Sequence, residues 1–179
     1  MPAQRGFRII GPDGTEAEVD SLGYLVEIME SHHKIHEGKH FTVADYATVG
    51  AAKYWHVIAP DSTVRVHLLA SMSASAGGLA EMYENPTTTD NGAALTRFNN
   101  DRNSSTTANL LVYKDPTIGA DGTLLEARRI GGGSGPFRIG GDVVQRVEFI
   151  LKQAEQYLFK FTPDGAGTVI TFTIAWYEA

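Results

Sequence analysis

The stretch "TVITFTIAWYE", residues 168–178, alternates without a break. Ile170, Phe172, Ile174 and Trp176 fall on one side of an extended chain, and Thr171, Thr173 and Tyr177 on the other. Successive side chains of a strand point to opposite faces, so this pattern predicts one face in a core and one toward solvent. Trp176 then belongs to the core. A sugar-stacking platform built with Tyr54, Trp55 and Tyr177 is the other use such aromatics have.

The segments on either side read the same way. "KYWHVIA" (53–59), "STVRVHLLA" (62–70), "LAEMYE" (79–84) and "ALTRF" (94–98) are short, with β-branched and aromatic residues prominent. "ANLLVYK" (108–114), "TLLEARRI" (123–130), "VVQRVEFIL" (143–151) and "EQYLFKF" (155–161) continue the series. "DG" at 13–14, 121–122 and 164–165 and "NG" at 91–92 favour the left-handed backbone of tight hairpin turns. No βαβ rhythm is present, so the expected class is all-β: an antiparallel β-sandwich. Roughly eight strands in the body make it jelly-roll-like. Immunoglobulin-like topology is the alternative, but its Cys–Trp–Cys framework is missing. No internal repeat is read.

The best helical window is "SLGYLVEIMESHHKI", with Leu22, Leu25, Val26 and Met29 at i, i+3, i+4, i+7. Its "YLVEI" reads equally well as a strand. Residues 1–30 form a separate arm, with "FRII–GPDGT–EAEVDS" as a small hairpin, and 31–179 form the body. A lone two-stranded hairpin is marginal in water, so the arm is expected to pack on the body or on a neighbouring chain.

The chain has 179 residues, 42% of them hydrophobic, no cysteine and a formal net charge of −6. Thiolate chemistry, disulfides and Cys-based zinc sites are excluded. Dispersed cations and net negative charge argue against nucleic acid as a partner. No apolar run is long enough for a membrane span, and "MPAQRGFRII" has no signal-peptide core. The glycine-rich "GGGSGPFRIGG" (131–141) lacks the Lys and the following Ser or Thr of a phosphate loop. No serine sits in a nucleophile elbow, and no carboxylate pair is singled out by spacing.

"MESHHKIHEGKHF" (29–41) is the strongest case for chemistry. His32, His36 and His40 recur every four residues and would share one face of a helix or strand, as candidates for a metal. H-E-x-x-H is absent, so is the cupin H-x-H followed by Glu, and Lys34 and Lys39 lie among the ligands. The other readings are a subunit contact leading into the β body, with or without a pH response.

Taken in order, "HHKIHEGKHFTV", "AAKYWHVIAPD", "GGLAEMYENPTTTDNGAALTRFNNDRNSS", "VYKDPT", "GGGSGPFRIGG" and the terminal "AWYE" resemble small virion proteins of tailed bacteriophages. The resemblance covers about residues 31–179. It implies a decoration (cement) protein on the outer surface of the capsid, made in the host cytoplasm, homotrimeric, and partnered by the major capsid protein. No enzymatic activity or cofactor is expected. Arg5, Phe7, Ile9, His32, His36, Gly132, Gly133, Pro136 and Phe137 are the expected capsid or subunit contacts. Two long polar loops, "NPTTTDNGA" (85–93) and "NNDRNSSTTAN" (99–109), would form the solvent-facing tip, with Thr88, Asp90, Asn100 and Arg102 open to a host-surface glycan. The alternatives are a glycan- or receptor-binding head-fibre or tail-spike domain, and thirdly a small jelly-roll metalloenzyme.

Overall fold

The computed structural model describes residues 30–131 and 148–179. A short helix, α1 (Glu30–His36), leads into β1 (His40–Val49), β2 (Lys53–Ile58), β3 (Val66–Ala74) and β4 (Gly78–Glu84). Five short strands follow: β5 (Thr87–Asp90), β6 (Ala93–Ala94), β7 (Phe98–Asn99), β8 (Leu111–Lys114) and β9 (Thr117–Ala120). The chain closes with β10 (Thr123–Ile130), β11 (Phe149–Ile150), β12 (Gln156–Pro163) and β13 (Thr168–Glu178). The arm contacts Arg5, Phe7 and Ile9, the loop contacts Gly132, Gly133, Pro136 and Phe137, and most of the expected arm helix lie outside the described residues.

Two antiparallel sheets pack as a sandwich, in the orders β11-β3-β13-β1-β7 and β10-β4-β12-β2-β8-β6. Within them, β11-β3-β13-β1 and β10-β4-β12-β2 are the two four-stranded sheets of a jelly roll. The strands β5 to β9 are one insertion between β4 and β10. The alternation of 168–178 is realised as read. Ile170, Phe172, Ile174 and Trp176 are fully buried, and Trp55 stacks on Phe172 with ring centroids 4.4 Å apart. Burying each such side chain contributes about 1.5–3 kcal/mol.

Three local expectations shift. β3 begins at Val66; before it, the Val64 amide donates to the Ser62 hydroxyl in a local turn, and the Arg65 and Ala179 backbones bond each other. "ALTRF" is not one strand: it passes from β6 in one sheet to β7 in the other. Arg97, midway, donates to the carbonyls of Ala108 and Leu110 and holds that crossing. The "NG" and "DG" pairs at 91–92 and 121–122 do turn the chain, with Gly92 at φ 85° and Gly122 at φ 94°. They do not close hairpins, since β5 pairs with β9 and not with β6.

The insertion also contains a repeat that the sequence reading missed. "YENPTTTDNGAAL" (83–95) and "YKDPTIGADGTLL" (113–125) share Tyr, Pro, Thr, Gly and Leu in register. Asn85 and Asp115 both adopt positive φ, 58° and 57°. Their amides bond equivalent carbonyls, Gln156 and Tyr54. Strand pairing follows the same rule: Thr87↔Ala120 maps onto Thr117↔Asp90, and Ala93↔Lys114 onto Thr123↔Glu84. A local two-fold axis therefore passes through the pairs Thr88↔Ile118 and His56↔Leu158. With two residues linking each cap strand to the sheet, β5 and β9 cross the outward side of β12 and β2 as a lid-like ladder. His56 and Leu158 point outward by parity yet are 0% exposed, and Leu158 stands apart from the main core. They are the floor of a second, small core.

Candidate interaction surfaces

α1 ends in a Schellman turn: Lys39 N–H donates to Lys34 O at 2.9 Å and Gly38 N–H to Ile35 O at 2.9 Å. Gly38 takes φ 67°, and a Cβ there would meet Ser104 Oγ at 2.4 Å. Glycine thus stops the helix and admits the neighbouring loop. It also separates the histidines. His32 and His36 remain on α1, exposed, with their Nε2 atoms 3.0 Å apart, so one imidazole donates to the other. His40 starts β1 and is buried. The single face expected for the three is not formed, because helical periodicity ends before His40. Among the described residues no group of three or more His, Cys, Asp or Glu is placed to hold a metal ion. Glu37 receives Lys34 at 3.0 Å and Lys39 at 3.4 Å, and these cations hold its carboxyl below the ordinary range.

Outward parity puts His67, Tyr177 and His40 in one row across β3, β13 and β1. Tyr177 and His40 are nonetheless 4% and 6% exposed, for α1 packs on β1 and β13 at this end. The His67 ring stacks on Tyr177 at 4.4 Å, and both side chains bond Glu148, at 2.6 Å and 2.9 Å. Burial would raise the Glu148 pKa; the bonds from His67 and Tyr177 outweigh it and leave the carboxyl below its ordinary value.

Beyond that row the same face of the five-stranded sheet is open. Its cross-strand rows are Leu69–Ala175–Thr42, Ser71–Thr173–Ala44 and Ser73–Thr171–Tyr46. None carries a charge. Tyr46 stands 79% exposed among hydroxyl and methyl groups, and Val169 beside it is 42% exposed. Composition hid this surface: Tyr46 sits in an ordinary alternating strand, and only cross-strand registration brings the uncharged residues together.

The two polar loops do not make one tip. Thr88 and Asp90 belong to β5, in the cap over the six-stranded sheet. Asn100 and Arg102 lie against the start of β1: the Asn100 amide bonds His40 O, and Arg102 sits 5.3 Å over the Phe98 ring. The second loop is pinned rather than free. Buried Asn99 donates to Gly38 O at 2.7 Å and Thr106 O at 3.1 Å, and its Oδ1 accepts the Asp101 amide. A shallow cleft of about 220 Å³ between Phe41, Leu95, Arg97 and Asn99 opens beside it. The Asn99 amide is already engaged with the carbonyls of Gly38 and Thr106, and one terminal nitrogen of Arg97 with those of Ala108 and Leu110.

Glu178 was also missed. It is 6% exposed and accepts from Asn109 N, Leu110 N, Asn109 Nδ2 and Trp176 Nε1 at 2.6–3.2 Å. The signal was present: Glu178 continues the inward parity of Ile174 and Trp176, where a carboxylate must find donors. Compared with protein-family models, curated proteins and solved structures, the chain matches none of them.

Proposed function

We propose that the chain is a virion structural protein that binds the outer surface of a phage capsid and reinforces it. The observation that carries this reading is the uncharged face of β3, β13 and β1 around Tyr46. Burying charge in a contact is costly unless it is paired, and a face of Ser, Thr, Ala, Leu69 and one exposed Tyr avoids that cost. Tyrosine is also a frequent anchor of interfaces. The order of motifs along 31–179, which resembles small phage virion proteins, supplies the partner: the major capsid protein, with further copies of the chain beside it. Many modest contacts on a lattice then give tight attachment by avidity.

The test is co-sedimentation with undecorated capsids. Tyr46→Asp combined with Ser71→Asp, two strands away on the same face, should weaken binding at least about tenfold, since each puts an unpaired charge into the contact. Copy number on the virion should scale with the major capsid protein. Undiminished binding by the folded variant, or only a few copies per particle, would overturn the reading. Tyr46 among hydroxyls also favours a second one, a glycan- or receptor-binding head-fibre domain, because an exposed ring flanked by hydroxyls can stack on a sugar. Glycan-array binding lost in Tyr46→Ala, with capsid binding absent, would establish that alternative.

A further inference from the structure

Gly38 takes His40 out of the helix, and a pair of histidines rather than a triad stays on one face of α1. His32 and His36 are i and i+4, so they stand one turn apart on the same side. Both are exposed, their rings meet edge to face with centroids 4.8 Å apart, and their Nε2 atoms are 3.0 Å apart. An imidazole nitrogen binds a divalent transition-metal ion at about 2.0–2.1 Å. An ion at that distance from both Nε2 atoms would see them at an angle of roughly 95°. That is close to the right angle of a tetragonal site and well below the roughly 109° of a tetrahedral one. The spacing therefore suits Cu2+ or Ni2+ better than Zn2+.

We infer that His32 and His36 form a two-imidazole chelate for a tetragonal divalent ion, Cu2+ foremost, on the solvent side of α1. Cu2+ comes first because the affinity of nitrogen sites for first-row divalent ions peaks there. In the hydrogen-bonded pair one ring carries its proton on Nε2. Moving that proton to Nδ1 through water leaves both Nε2 lone pairs for the ion. His33 is outside the chelate, since its Nε2 is paired with Glu37 at 2.8 Å. Glu37 also receives Lys34 and Lys39, so its carboxylate offsets one of the two lysine charges of this turn. Water screens the rest, because Lys39 and both imidazoles are exposed. A seven-residue helix is too short to persist alone, and α1 rests on β1 and β13. An ion that spans His32 and His36 binds the helical turn more tightly than the unfolded chain, so it stabilises the fold by mass action. The site does not use the uncharged face around Tyr46 and stands whatever that face binds.

The experiment titrates the untagged full chain with Cu2+ alone, read by calorimetry and electron paramagnetic resonance. The first equivalent should give a tetragonal spectrum coupled to two imidazole nitrogens, and the melting temperature should rise. His32→Ala and His36→Ala should each weaken binding at least about tenfold, because the second imidazole no longer arrives at high effective concentration. His33→Ala, on the same turn, should leave affinity and spectrum unchanged. Retained β circular dichroism shows that the variants fold. Affinity unaltered in both His32→Ala and His36→Ala overturns the inference, and so does equal loss in His33→Ala. A wild-type spectrum coupled to fewer than two imidazole nitrogens overturns it as well, and decides the matter if a variant does not fold.

Discussion

Glu178 shows how one side chain couples remote segments. Its carboxylate joins the end of β13 to the backbone at Asn109 and Leu110 and to the Trp176 indole. Glu178→Ala strands those donors in a buried place, and each unsatisfied group costs about 1–3 kcal/mol. The expected loss is about 3 kcal/mol in urea unfolding at neutral pH, with Glu178→Gln recovering part of it. A loss under about 1 kcal/mol would mean that water replaces the carboxylate. Strand parity in the sequence turns Glu178 inward. It does not say that Asn109 will be there to meet it, because the two are brought together only by closure of the sandwich.

The repeat inside the insertion is a matter of elements. A Cβ on Gly92 would meet Lys114 O at 2.2 Å, and one on Gly122 would meet Glu84 O at 2.3 Å, both at positive φ. Gly92→Ala and Gly122→Ala should each cost more than the roughly 1 kcal/mol of backbone strain alone, because a carbonyl must also move. Hydrogen exchange should quicken across 85–122 in both variants. Gly165→Ala, with open space around it and no positive φ, is the control and should leave melting unchanged. Similar behaviour of Gly165 and Gly92 would remove the account of the cap. "NG" and "DG" were legible as turns from local backbone preference. Their role in carrying β5 and β9 over the sheet was not, because it depends on which strands they join.

Acid stability belongs to the whole molecule. Burial of His56 lowers its pKa from the ordinary 6.5, partly offset by the side chains of Gln156 and Asn91. Its Nδ1 makes no hydrogen bond of good geometry among the described residues. Below 6.5 the unfolded chain binds this proton more readily than the folded one, so stability is full above that pH and declines as pH falls toward the lowered value. Glu148, also lowered, adds stability that is present above its ordinary 4.5 and is lost as pH falls further. Urea midpoints should therefore drop in two stages on acidification. His56→Leu, beside Leu158 under the cap, should flatten the first stage and leave the second. An unchanged first stage in that variant would assign it elsewhere.

The sequence by itself determined the β class, most strand positions and the inward sets such as Ile170–Trp176. These follow from alternation, a property of the extended backbone and its two faces. Tertiary structure alone decided what happens to the residues that point outward. Tyr177 and His40 are buried by α1, His56 and Leu158 by the β5–β9 cap, while Tyr46 on the same parity stands open. Alternation fixes the side to which a residue turns, whereas burial depends on what another part of the chain lays over that side.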